Sequence, residues 1–286
     1  MKSFYFKIFS TFLRVITLGE NRLLTRAALL IAFATTCGAQ QATTVPAPTP
    51  WAITSRAANS RIWQRTMYEL SPSGQVVPHV QAYTELATGL CYQQPGGDGQ
   101  WLDSQEVINI LPDGTASATN CQHQVFLPID IYAGTITLIT PDGQEIRSQP
   151  VGLCYDDGTN VALIGSITNS VGALVSTNQA VYANAFTGID ADLRYTYRKS
   201  GFEQEVVLNR QLPPPEAFGL DSANANLEMM TEFSAPEPTQ SATVAGPNGL
   251  SDSILSFGSV KMVRGRAFSI GNSRFNQSLE SRDSRF

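Results

Sequence analysis

Four cysteines and two histidines are the scarcest chemistry-bearing side chains in this 286-residue chain. Three of the cysteines, Cys91, Cys121 and Cys154, lie beyond residue 39. In an oxidising compartment thiols pair, and an odd number leaves one over. Gly89-Leu90-Cys91-Tyr92 recurs as Gly152-Leu153-Cys154-Tyr155, which makes Cys91 and Cys154 the preferred disulfide pair. The alternative is three buried thiols acting as small apolar side chains. Cys121 and His123 stand two apart, so on a strand they share a face. Joined by Cys91 and Cys154 they would match the Cys₃His stoichiometry of structural zinc. No Cys-x-x-Cys knuckle is present, and export favours disulfides. Asp156 and Asp157 could offer oxygens to calcium, but the twelve-residue loop and terminal Glu of an EF-hand are missing. Cys121, His123, Asp156 and Asp157 are therefore weak metal candidates. No metal and no cofactor is expected.

Asp190 and Asp192 are spaced to share a face, and paired acids can hydrolyse glycosides. A charged loop leading into a strand is the simpler reading. The chain contains no nucleophile elbow, P-loop, dinucleotide fingerprint or zinc-protease motif. No catalytic residue is assigned. Trp63, Trp101, Tyr92 and Tyr155 are candidates for stacking a ligand, against the commoner role of aromatic strand residues as core.

These residues must be positioned by short strands and tight turns. Residues 62–68 and 75–80 flank Ser71-Pro72-Ser73-Gly74 and read as a hairpin. Asp-Gly turns at 113–114, 142–143 and 157–158 separate strands expected at 122–127, 135–140, 144–149 and 161–167. A second hairpin, 193–199 with 202–208, turns at Ser200-Gly201. No ten-residue helix is expected beyond the leader. The fold class is all-β: an antiparallel β-sandwich-like body with a separate C-terminal β-hairpin. The Gly-Leu-Cys-Tyr echo suggests two related sub-sheets, chance recurrence being the alternative. The expected organisation is a signal peptide at 1–39, a Pro/Thr-rich linker at 40–50 and a β-rich domain at 51–234. A Pro/Ser/Thr linker at 235–249, a hairpin at 250–271 and a disordered tail at 272–286 follow.

The leader has the order of a secretory signal: Arg22 and Arg26, an apolar run at 27–34, then small residues to Ala39. The run is too short to span a bilayer, and no second apolar stretch follows. A retained anchor is one alternative, and a lipoprotein cut before Cys37 is another. Residues 51–233 hold 19 acids and 8 bases. That surplus cannot displace counterions from phosphates, so nucleic acid is excluded as a partner. The expected location is outside the cytoplasm: periplasm, cell surface or extracellular space.

The segment Phe186 to Tyr197, followed by Gly201 to Leu208, resembles the β-rich region ahead of the repeats in secreted and wall-associated bacterial Rhs/YD-repeat proteins. Tyr83 to Leu90 and Gly258 to Ile270 are similar to segments of the same large exported proteins. This chain carries no YD repeats, no Rhs core and no C-terminal toxin. The resemblance implies an N-terminal fragment of a larger surface protein, and it supplies no catalytic residues. The expected function is an exported, non-enzymatic structural, adhesive or interaction module with a protein or cell-surface glycan as partner. A carbohydrate-binding module is the first alternative. A glycosidase-like or peptidase-like secreted enzyme is the second.

Overall fold

The computed structural model describes residues 44–235, 240–245, 251–263 and 265. The expected signal peptide at 1–39 and the tail at 272–286 lie outside the described residues. Strands β1 (Ala52–Ala57), β2 (Ser60–Leu70) and β3 (Val76–Leu86) form one antiparallel sheet, and β4 (Cys91–Gln93) pairs with β5 (Trp101–Asp103). Next come β6 (Asn109–Ile110), β7 (Ala116–Ala118), β8 (Gln124–Leu127), β9 (Ile136–Ile139), β10 (Glu145–Asp156) and β11 (Val161–Ser166). A four-stranded sheet follows in chain order: β12 (Gly172–Ser176), β13 (Gln179–Tyr182), β14 (Ala191–Arg198) and β15 (Gly201–Leu208). After a short 3₁₀ turn come β16 (Asn226–Ala235), β17 (Gln240–Ala245), β18 (Ser251–Phe257) and β19 (Val260–Met262). The all-β, antiparallel expectation is correct. Among the described residues no helix is long and apolar enough to cross a membrane.

The twelve-residue β10 is the spine of the larger, seven-stranded sheet. β9 pairs with its first four residues and β11 with its last five, so these two lie end to end along one edge. β16 pairs along the other edge. The Asp-Gly turns form as expected: Gly114, Gly143 and Gly158 have φ of 86°, 83° and 86°, conformations that β-carbons disfavour. The second hairpin turns one residue earlier than expected, at Lys199-Ser200, because Arg198 already pairs with Gly201.

The seven- and four-stranded sheets share one core. Ala191, Leu193, Tyr195 and Tyr197 of β14 alternate inward and are fully buried. They meet Val125, Leu127, Ile136, Leu138, Ile146 and Leu153 of the larger sheet. Each buried tyrosine hydroxyl has an acceptor. Tyr182 donates to the Pro128 carbonyl at 2.6 Å and Tyr197 to the His123 carbonyl at 2.8 Å. Tyr195 donates to Gln204, whose amide reaches Thr231 on β16.

Two expectations are corrected. The Gly-Leu-Cys-Tyr words do not mark related sub-sheets: β4 is three residues with one partner strand, whereas β10 is long and paired on both edges. The C-terminal element is not a separate hairpin. It is a three-stranded sheet whose first strand, β17, falls in the segment read as a linker. Leu255, Phe257 and Met262 are buried in the common core, and Phe257 packs on Phe233 with ring centroids 5.6 Å apart. The Ser259 hydroxyl donates to Asp142 at 2.7 Å, latching the β18–β19 turn to the β9–β10 turn.

Because that sheet completes the core, Phe257→Ala should destabilise the whole protein by about 3–5 kcal/mol. Urea unfolding followed by fluorescence should show one transition moved to lower denaturant. A main transition that stays in place would mean the C-terminal sheet folds independently.

Candidate functional site

Strands β1–β3 form an arm unlike the rest of the molecule. None of their residues is buried, and none belongs to the common core. Eleven residues per long strand give a length of about 33 Å. The Ala58-Asn59 turn plugs the arm's base into the body. The Ala58 carbonyl accepts from the Cys91 N–H and the Gln122 amide, and the Asn59 side chain accepts from the Gly89 N–H at 2.8 Å. Gly89 has φ 69°, and a β-carbon there would sit 1.9 Å from the Lys199 carbonyl oxygen, so only glycine permits this joint.

An ion network secures the same end. Arg56 Nε donates to Asp103 Oδ1 at 2.9 Å, and Arg61 Nη2 donates to the Leu90 carbonyl at 2.9 Å. Arg61 Nε lies 3.1 Å from Asp103 Oδ1, off line for a hydrogen bond, and Nη1 lies 3.6 Å from Glu85. The Arg56 hydrogen bond holds the Asp103 carboxyl below the usual aspartate range, with Arg61 adding to the effect. Arg56 is raised in turn, chiefly by the hydrogen bond to Asp103.

Beyond the base, one face of the arm carries a row of aromatic rings. The hairpin register sets Trp63 opposite Tyr83 and Arg65 opposite Gln81. The Trp63 and Tyr83 rings are nearly parallel, 11° apart, with centroids 6.1 Å apart. Trp51 meets Tyr83 edge-on at 4.8 Å, and the Arg65 guanidinium lies 4.7 Å from the Trp51 ring. Trp63 Nε1 donates to Glu85 at 2.9 Å and Arg65 Nε to Gln81 at 2.8 Å, fixing both side chains. Tyr83 remains 47% exposed. The row can stack on and hydrogen-bond to a ligand. It brings no nucleophile together with a base.

Of the four stacking candidates, only Trp63 lies in the row. Trp101 is half-buried on β5, on the same face as the tethering Asp103. Tyr92 and Tyr155 are corrected to interior residues, 9% and 8% exposed, with hydroxyls donating to Asn120 and the Pro213 carbonyl. Sequence reasoning missed Trp51, Arg65 and Tyr83 as partners of Trp63. The signal was one residue short: counting out from a turn at 71–74 sets Trp63 opposite Ala82, and only the longer loop, which pairs Leu70 with Val76, brings Tyr83 across from it.

The expected Cys91–Cys154 bridge is also corrected, since all three thiols are free and buried. Cys91 donates to Asp103 Oδ1, Cys121 to the Gln105 carbonyl and Cys154 to the Glu228 carbonyl. Burial pushes the Cys154 thiol up to about 12, and Cys121 is raised for the same reason, which makes both poor nucleophiles. The Cys₃His set is not assembled. Among the described residues no three metal-capable side chains converge. Cys121 and His123 do share the inward face before β8, but the His123 ring packs 5.0 Å from Tyr197. Asp156 and Asp157 spend their oxygens on the N–H groups of their own turn, Gly158, Thr159 and Asn160. Asp190 pairs with Arg210, and Asp192 accepts from the Asn184 N–H, so the two acids do not act together.

No family model, no curated protein and no solved structure matches this chain.

His123 generates a pH prediction. It is buried, its Nε2 has no partner, and desolvation lowers its pKa from 6.5 to about 4. Between those values the unfolded chain takes up a proton that the folded chain refuses. Stability therefore falls as pH drops through this window, by about 3 kcal/mol in all, and His123 contributes no further loss below it. Chemical denaturation at pH 7.5 and pH 4.5 should show a smaller difference in His123→Gln than in the parent.

Proposed function

We propose that this chain is an exported, non-enzymatic adhesive or interaction module whose arm is the recognition element. One observation carries the reading: about thirty residues of β-sheet stand without a buried side chain, yet present Trp51, Trp63 and Tyr83 fixed in place. Partly exposed aromatic groupings of this kind, here with Tyr83 the most open, mark interaction surfaces. Pre-fixed rings bind at low entropic cost. The dispersed and turn-committed acids support a role without catalysis. The export reading rests on the residue order of the leader alone. The likeness to surface-associated Rhs/YD-repeat proteins fits the same role.

A carbohydrate ligand is the second reading, favoured by the near-parallel Trp63 and Tyr83 rings with Gln81, Glu85 and Arg65 beside them. Apolar sugar faces stack on such rings while amide, carboxylate and guanidinium groups bond the hydroxyls.

Retention of the purified chain on bacterial envelope material and on a panel of insoluble polysaccharides tests both. Replacing Trp63 and Tyr83 together by Ala should reduce retention about tenfold or more, with the core's unfolding transition unmoved. Retention on protease-treated envelope, competed by soluble glycan, selects the sugar; retention lost on protease treatment selects a protein partner. Unchanged retention of the double variant would remove the arm as the recognition element.

A further inference from the structure

The outer edge of β3 has no partner strand among the described residues, and its hydrogen-bonding groups can be assigned. The Ser71 N–H donates to the Gln75 carbonyl at 2.8 Å, and the Ala87 N–H donates to the Asn59 carbonyl at 3.2 Å. Both bonds fit the register that pairs Ser60 with Leu86 and Leu70 with Val76. Hydrogen-bonded pairs alternate along an antiparallel ladder, so β3 spends its odd-numbered residues on β2. The even-numbered residues therefore turn their N–H and C=O groups to the open edge. Pro78 is one of them, which is where a strand tolerates proline. From Val80 to Leu86 every outward N–H is present. The usual protections of an edge are missing from this stretch: it has no lysine, no proline, and Glu85 as its only charge. Its apolar side chains stand in solvent, Val80 and Leu86 both 68% exposed.

We propose that a second copy of this chain covers that edge, the two β3 strands pairing antiparallel over Val80–Leu86 about a two-fold axis at Tyr83. The segment is self-complementary in this register. Val80 falls opposite the partner's Leu86, and Leu86 opposite the partner's Val80, so the two most exposed large apolar side chains of the strand cover each other twice. Ala82 falls opposite the partner's Thr84. Gln81 meets the partner's Glu85, an amide facing a carboxylate, and no like charges are opposed. Four even-numbered pairs make both of their bonds, and Pro78 lies outside the paired stretch. The contact is isologous and closes on itself, giving a dimer and not a filament. The pairing keeps odd residues opposite odd, so both aromatic rows lie on one face of a continuous six-stranded sheet. This inference stands whether or not the row takes a ligand.

Sedimentation velocity of the full chain over a range of concentrations should show the mass doubling. Ala82→Pro removes an outward N–H twice per dimer and leaves the ladder to β2 intact. It should weaken the dimer about tenfold or more, with the β-sheet circular-dichroism spectrum retained. Tyr83→Cys gives a readout that does not depend on that variant folding. The axis sets the two residues in a non-hydrogen-bonded pair with Cα atoms about 4.5 Å apart, within disulfide range. With Cys37 replaced by Ser in both chains, mild oxidation should link this variant into a dimer on non-reducing gels, while the parent, whose three remaining thiols are buried, stays unlinked. A parent chain that remains monomeric at all concentrations overturns the proposal, even if it captures an unrelated extended peptide. So does a dimer that tolerates Ala82→Pro and fails to cross-link at position 83.

Discussion

Three tyrosine hydroxyls on two neighbouring strands have to find acceptors in a dry interior, and the acceptors tie them to the opposite sheet. An unpaired hydroxyl there would cost on the order of 1–3 kcal/mol, so the demand is strict. Tyr182 and Tyr197 meet it at Pro128 and His123, the residues immediately after and before β8. Tyr195 meets it through Gln204 and Thr231. The apolar side chains between the sheets are non-directional and would tolerate several offsets. The hydroxyls select one. His123 pays for this arrangement: its carbonyl is held by Tyr197, its ring is carried inside, and Nε2 is left without a partner.

The arm follows the opposite logic. Its strands have no common core to obey, so their order comes from cross-strand pairs and from the joint at Ala58, Asn59 and Gly89. The ion network at Arg56, Arg61 and Asp103 is partly exposed, and such pairs contribute little to stability. Its effect is directional, since it clamps the end of the arm nearest the body and leaves the remainder open. A sheet of three strands without a buried face is close to the limit of independent stability. The side chains of its aromatic row are nonetheless held by cross-strand bonds, Trp63 to Glu85 and Arg65 to Gln81, so the row is set before a partner arrives. The division is thus between a body held by a common buried core and a sheet held by cross-strand pairs and one joint.

Much of this was legible in the sequence where the determinant was local. The Asp-Gly turns, the two hairpins and the all-β class follow from backbone preferences of a few residues, and Gly143 or Gly158 behaves as its neighbours dictate. What depended on distant contacts was not legible. Tyr92, Tyr155 and Trp63 are all aromatic residues in strands, and only the tertiary structure separates the first two, inside, from the third. The matched Cys91 and Cys154 words carry no information on proximity, since like sequences need not be neighbours; their thiols bond to Asp103 and to the Glu228 carbonyl. The C-terminal strands alternated too briefly to reveal a third strand, and Asp142 with Ser259 are 117 positions apart.

The acidity of the chain also acquires a structural origin. Residues 89–235 hold 17 acids and 5 bases, while residues 44–88 hold 2 and 3. In the body many aspartates accept N–H bonds in turns and loops: Asp98, Asp113, Asp130, Asp156, Asp157, Asp192 and Asp221. A fold made of short strands needs many turns, and aspartate suits turns because its oxygens satisfy backbone N–H groups that the ladders leave over. Negative charge thus accumulates as a consequence of loop closure and needs no cationic ligand to account for it. It still has an effect at longer range. Bodies of like charge repel one another within a Debye length of about 8 Å at physiological salt. The arm, almost neutral and apolar along β3, is a surface on which that repulsion is weak. The turn chemistry that makes the sandwich acidic therefore leaves the arm, a sheet with no buried residue, open to close approach.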